Sequence, residues 1–381
     1  MAYPTKSAGS GKRLKPKKPF KDFPLFPHAN GQWAKKIKGK LYYFGLWEEP
    51  DAALKRWQDH LAGRTRVEDI TVKGLCNAFM TDRKHRLDAG DIVQRSYRDY
   101  YDTCERLLRH LDGNKQVDDL RPEDFTELRA KYAKDWAPGT VGNEVQRVRV
   151  IFNFAYESSL VDRPVRFGPT FKKPSKKVMR KARNEKGPRM FEAVDLRRII
   201  DSATNPMKAM VLLGINCGFG NADCANLPTA AIDLVGGWIE FPRPKTGINR
   251  RCPLWPETID ALRDAFANRK TPKDESNNGL AFITKYGGPW SVADSRRNPI
   301  SAEFRKLIMS MDLYRPGLSF YALRHMFETF GGESRDQVAV DHIMGHVDNS
   351  MAATYRERIS DERLTAVTQH VRKWLYGKGV K

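Results

Sequence analysis

The chain has 381 residues, with 67 lysines and arginines against 46 aspartates and glutamates, a formal net charge of +21. That length holds two or three domains, and the charge calls for a polyanionic partner, because Lys and Arg release condensed counterions when they meet phosphates. Nucleic acid is the leading candidate and an anionic membrane surface the rival, but the longest apolar run, near Ala209 to Leu213, is far too short to span a bilayer. No signal-peptide pattern follows Lys6, Lys12 and Arg13. The five cysteines, without a C-x-x-C spacing, argue against structural zinc and fit a reducing, cytoplasmic setting.

Residues 1–22 are rich in Lys, Pro, Ser and Gly and read as a disordered basic tail, either tracking phosphates or merely aiding solubility. From 23 to 65, short apolar alternations separated by Asn30-Gly31 and Gly39-Lys40 predict a three-stranded sheet, then a helix from about Asp51 to Leu61. Trp33, Ile37, Tyr43 and Phe44 would form its core. Lys35, Lys36, Lys38 and Lys40 would line the exposed side, reading a DNA groove unless the unit is a purely structural module. Residues 66–163 predict four helices, with Leu75, Phe79, Tyr97, Tyr101, Cys104 and Leu108 at helical spacing and breaks at Ala89-Gly90, Asp112-Gly113-Asn114 and Ala137-Pro138-Gly139. The last helix carries Arg147 and Arg149 as a cationic side on an apolar body. Residues 164–188, with Lys172, Lys173 and more Lys, Arg and Pro, read as an extended linker.

The remainder, 189–381, predicts mixed α/β structure. Helices at Ala193–Ala203 and Pro206–Ile215 precede Gly218-Phe219-Gly220-Asn221-Ala222-Asp223, and strands at Gly237–Phe241 and Arg250–Leu254 are joined by a loop that puts Lys245 at its tip. Ser319 would cap a helix burying Phe320, Leu323 and Phe327, with Tyr321 and Arg324 on another face. Ser334 and Gln337 have the form of a capping box for a helix that buries Val338 and Ile343 and stops at Gly345. His346 follows that stop, and Asn349 or Ser350 would cap a helix bearing Tyr355 near its first turns. A final apolar stripe, Leu364, Val367, Val371 and Leu375, would pack on its own domain or on a neighbouring subunit.

Ala322-Leu323-Arg324-His325, then Gly345-His346 and a tyrosine nine positions on, resembles the C-terminal signature of the tyrosine recombinases, the phage-integrase family. The resemblance implies a site-specific recombinase that breaks and rejoins double-stranded DNA through a phosphotyrosyl link, without metal or cofactor, self-associating as a dimer or tetramer on DNA. It implies Tyr355 as nucleophile, Arg324 as phosphate clamp, His346 as supporting donor and Lys245 as general acid for the leaving 5′ oxygen. It further implies an arm-type DNA-binding domain at 23–65, a helical core-binding domain at 66–163 and a catalytic-type domain from 189. Two positions differ from the family pattern. Gly220 stands where the first box has an arginine, and Tyr321 where the His-x-x-Arg motif has its histidine. The doublet Arg250-Arg251 is the best-placed cation for the space beside Gly220 and Arg243 the weaker one, with Tyr321 offering one hydrogen bond; Arg147, Lys172, Lys173, Lys36 and Lys38 would contact DNA elsewhere. A DNA-binding protein that keeps the fold as a catalytically silent architectural or regulatory factor is the other reading.

Overall fold

The computed structural model describes residues 15–29, 31–37, 39–61, 70–291, 298–348 and 350–377, and the chain divides into two compact units, Met1–Ser175 and Lys176–Lys381. Helices dominate, with two small antiparallel sheets.

In the first unit, β1 (Phe26–Pro27), β2 (Gln32–Ile37) and β3 (Lys40–Leu46) pair in that order, and α1 (Pro50–Leu61) follows. Phe23, Leu25, Trp33, Phe44 and Ala53 form the core of this sheet and helix. Tyr43, expected inside, is exposed. Trp33 pairs with Gly45 and Ala34 with Tyr43, so a bulge makes Phe44 the extra residue, and it is Phe44 that turns inward. Lys35 donates to the Pro24 carbonyl at 2.8 Å and lies over the Trp57 ring. It belongs to the packing, whereas Lys36 is exposed. Lys38, Asn30 and the first 14 residues lie outside the described residues.

The four expected helices are α2 (Val72–Asp88), α3 (Gln94–His110), α4 (Pro122–Asp135) and α5 (Pro138–Glu157). Thr71 caps the first by accepting from the Gly74 N–H at 3.0 Å. Tyr101 is exposed, and the buried stripe of α3 runs instead through Thr103, Cys104 and Leu107. Arg147 is not the free cation anticipated. It donates to Asp99 at 2.7 Å and to Glu144 at 3.4 Å, and Glu144 is buried and also held by Arg106 at 2.6 Å. A buried carboxylate without cations would be costly, so these arginines serve the interior of the helical domain.

The segment 164–188 is not simply extended. Phe167 and Phe171 enter the helical core, and Lys176–Asn184 forms α6 with no buried residue. Lys172 and Lys173 are exposed between them.

The second unit comprises α7 (Ala193–Ser202), α8 (Met207–Asn216), α9 (Asn221–Ala225), the sheet β4 (Ile232–Asp233), β5 (Trp238–Glu240) and β6 (Arg251–Pro253), then α10 (Pro256–Ala267), α11 (Pro299–Met309), α12 (Ala322–Gly332), α13 (Gln337–Met344), α14 (Met351–Thr354) and α15 (Asp361–Tyr376). The apolar helix α8 lies at the centre, almost wholly buried. Its last residue, Asn216, donates to the Pro253 carbonyl and accepts from Trp255 N–H and Thr258 Oγ1, which ties the sheet and α10 to the centre. Helix α15 buries Leu364, Val367, Val371 and Leu375 within its own unit, and its Thr368 carbonyl accepts from the Trp255 indole at 3.1 Å. Among the described residues no helix is long and apolar enough to cross a membrane.

Candidate active site

The site is built where α12 meets the end of α13. Helix α12 begins after Tyr321, and Ser319 contributes a backbone turn to Ala322 at 2.8 Å in place of the expected side-chain cap. Phe320, Leu323 and Phe327 are fully buried, as their spacing implies, and Arg324 is carried inward with them to 2% exposure. Its Nη1 donates to the Gly218 carbonyl at 2.6 Å and its Nη2 to the Met344 carbonyl at 2.7 Å. The guanidinium is therefore fixed before any substrate arrives.

Helix α13 is capped by Asp336, which accepts from the Ala339 N–H at 3.1 Å, and not by Ser334. Its buried residues are Ala339, Val340, Ile343 and Met344; Val338 is only half-buried. Gly345 ends the helix with φ +64, a left-handed conformation that favours glycine. Space demands glycine as well: a Cβ there would lie 2.8 Å from Arg250 Cδ and 2.9 Å from Arg243 Cβ. The Gly345 carbonyl accepts from Arg243 Nη1 at 3.2 Å and Thr246 Oγ1 at 3.3 Å. Two consecutive carbonyls, those of Met344 and Gly345, thus hold two arginines at the negative end of α13.

Arg250 and Arg251 point apart, as strand alternation requires. Arg250 is 3% exposed, packs over the Phe219 ring at 4.4 Å, and donates to the Phe241 carbonyl and to Asp223 Oδ1, each at 2.9 Å. The other Asp223 oxygen accepts from the Gly220 N–H at 2.7 Å. Arg251 turns outward, clamped by both oxygens of Asp361 and by Glu240, above the Trp238 ring. Burial lowers the Arg250 guanidinium from its ordinary range, with Asp223 opposing. Burial first, and then the charge of Arg243, lowers Arg324. Both remain cations, since an arginine starts so far above neutrality.

The two departures from the family pattern meet in space. A Cβ on Gly220 would stand 3.2 Å from Tyr321 Cε2, so the tyrosine ring lies against the glycine. The Tyr321 ring also meets His325 edge-on at 5.3 Å.

His346 Nδ1 pairs with Asp341 Oδ1 at 3.1 Å, with Glu328 Oε2 at 3.7 Å, leaving Nε2 as the nitrogen for a substrate. The ligand atoms of these three residues lie within 4.8 Å of one another, the one grouping among the described residues able to hold a metal ion. The hydrogen bond to Asp341 already accounts for that geometry. Ser350 caps α14 through the Ala353 N–H at 3.3 Å; Asn349 lies outside the described residues. Helix α14 has only four residues and none is buried, so Tyr355 closes it, 77% exposed, rather than sitting inside a longer helix. No hydrogen bond joins its hydroxyl to Arg324, His346 or Lys245. Lys245 is exposed in the β5–β6 loop, two residues beyond Arg243.

The arrangement brings together Arg324, Arg243, Arg250 and the Gly345-His346 turn, and leaves Lys245 and Tyr355 at the surface. Asp223, Asp341 and Thr246 were not singled out by sequence. Asp223 and Asp341 sit three residues after Gly220 and five before His346, offsets that a search for local partners would reach.

Residues 189–361 match the family model described as the phage integrase family. No match is found among curated proteins. Among solved structures, a lambda integrase dimer bound to a COC' core site aligns at TM-score 0.58 and 15% identity, covering 92% of this chain and 99% of that one. A lambda integrase tetramer bound to a Holliday junction aligns at 0.55 and 16%, covering 90% and 98%. The Tn1549 transposon integrase in complex with circular intermediate DNA aligns at 0.55 and 15%, covering 78% and 98%.

Proposed function

We propose that this chain, a member of the phage integrase family through its domain at 189–361, is a site-specific recombinase that cuts and rejoins double-stranded DNA through Tyr355. The observation that carries the reading is the cluster at the end of α13. Three guanidiniums gather at the Met344-Gly345-His346 turn with a single carboxylate among them: Arg324 and Arg243 hang from the Met344 and Gly345 carbonyls, and Arg250, paired with Asp223, lies against Gly345. Such a surplus of fixed cations suits an anion, and a transferring phosphoryl group carries its charge on the oxygens that planar guanidiniums bind.

In the reaction, Tyr355 Oη bonds to phosphorus as the bond from phosphorus to the 5′ oxygen breaks. The phenolic proton leaves to solvent at the exposed hydroxyl, and the Lys245 ammonium gives a proton to the departing 5′ oxygen. Arg324 holds a non-bridging oxygen. His346, oriented through Nδ1 by Asp341, turns Nε2 to a phosphate oxygen. Lys36, Lys172 and Lys173, all exposed, would contact the DNA backbone along the first unit, with Lys38 and the basic tail. The lambda structures, a dimer and a tetramer on DNA, support self-association of this chain on its target.

The silent DNA-binding reading draws its support from Gly220, which offers no side chain to a phosphate. One experiment decides between them. The chain's preferred duplex, selected from a random library, is nicked beside the candidate cleavage point and incubated with protein. The recombinase reading expects an adduct that survives denaturant with the wild type and none with Tyr355→Phe, at equal DNA affinity. Tight binding by the wild type with no adduct on any nicked position would establish the silent reading.

A further inference from the structure

We infer that Arg243 is the second phosphate-binding guanidinium of this site, supplying from the β5–β6 loop the charge that Gly220 cannot. The inference rests on the recombinase reading and adds a residue to it. The sequence favoured the doublet Arg250-Arg251, and the structure disposes of both members. Arg251 faces away into Asp361 and Glu240. Arg250 is a strut: its charge is already paired with the buried Asp223 carboxylate and its Nη1, though unpartnered, is fully buried, whereas Arg324, just as buried, is held by two neutral carbonyls and keeps its charge for a substrate.

Arg243 has what they lack. It is half-buried, so part of its side chain reaches solvent, and it spends one of its five donors, on the Gly345 carbonyl. Among the described residues no carboxylate pairs with it. Its charge is the foremost one acting on Arg324, which places the two guanidiniums within electrostatic reach of each other. They hang from the adjacent carbonyls of Met344 and Gly345, at the turn that presents His346. Like charges held so close repel, and an oxyanion between them relieves the repulsion.

Thr246 latches the same loop to the same carbonyl at 3.3 Å, and Lys245 lies between the two latching residues. One anchored loop therefore delivers both a cation for the non-bridging oxygen and the general acid for the leaving oxygen. Arg243 transfers no proton. It donates hydrogen bonds to phosphate oxygens whose charge is redistributed as the Tyr355–phosphorus bond forms and the bond to the 5′ oxygen breaks.

The test compares wild type, Arg243→Ala and Arg243→Lys in single-turnover adduct formation on the nicked duplex. A second substrate carries a neutral methylphosphonate at the scissile position. On the ordinary phosphate, Arg243→Ala is expected to be slower by about a hundredfold or more, with DNA affinity within about threefold of wild type, since one contact among many is lost. Arg243→Lys, which keeps charge without the fork, falls between. On the methylphosphonate the gap between Arg243→Ala and wild type narrows to about tenfold or less, because the charge to be neutralised is gone. Adduct formation by Arg243→Ala at the wild-type rate, or an equal deficit on both substrates, overturns the inference while the recombinase reading stands. Absence of adduct with the wild type itself removes that reading and the inference together. Should the alanine variant not fold, the lysine variant alone carries the comparison, and its behaving as wild type on both substrates overturns the inference.

Discussion

The two halves of the site are held very differently. Arg324 and Arg250 are almost fully buried, each bonded to two partners, and Gly345 is enclosed by arginine side chains. Tyr355 ends a four-residue helix with no buried residue, secured by the Ser350 cap and by an ion pair between Arg356 and Asp348 at 3.1 Å. In the proposed reaction charge stabilisation depends on donors fixed in advance, and Arg324, held in the folded core, meets that requirement. A nucleophile can be aligned after binding, at the cost of ordering a short segment.

Breaking the fixed half should show first in stability. Arg250→Ala leaves Asp223 buried without its cation, which costs about 3–5 kcal/mol. For a domain of this size that is on the order of a 10 °C fall in melting temperature. A melting temperature within about 2 °C of wild type would mean that the pair is not a strut.

The contact between Gly220 and Tyr321 sharpens the comparison from within the clamp. Gly220→Ala adds a methyl group at 3.2 Å from the tyrosine ring and 3.3 Å from Asp223, an overpacking expected to cost about 1–2 kcal/mol. In the Tyr321→Ala background the same change should be nearly neutral, so denaturant titration of the double-mutant cycle should give a coupling of about 1 kcal/mol. Additive effects would show that the ring does not rest on the glycine.

On the exposed side, Ser350→Ala removes a cap worth about 1 kcal/mol to its own helix. The melting temperature should stay within about 1 °C, because α14 contributes little to the core. Amide exchange at residues 351–355 should accelerate by about fivefold, read by mass spectrometry. A clear loss of global stability would place α14 in the core and erase the contrast.

What the sequence made legible follows the same division. Helical spacing identified the buried Phe320, Leu323 and Phe327, but it set Arg324 on another face, and the structure buries it with them because the Gly218 and Met344 carbonyls receive it; a glycine stop located His346; Ser350 was among the caps expected. These are local signals. The pairing of Arg147 with Asp99, 48 positions away, left no mark on periodicity, so the arginine read as a surface cation. Strand alternation separates Arg250 from Arg251, yet no local pattern tells that the inner one is consumed by Asp223 or that Arg243 hangs from Gly345, 102 positions on. Tyr43 was misplaced because one bulge inverts the faces of a strand. The short α14 and the helix α6 in the basic segment were set by what failed to pack, which composition does not display.

The most direct test maps the covalent bond itself. Wild-type protein trapped on its nicked site is digested with protease and nuclease, and the nucleotide-bearing peptide is sequenced by mass spectrometry. A single modified residue is expected, Tyr355, joined to phosphate at a 3′ end with a free 5′ hydroxyl on the other strand fragment. A nucleotide on any other residue, or a link to a 5′ phosphate, would contradict this assignment.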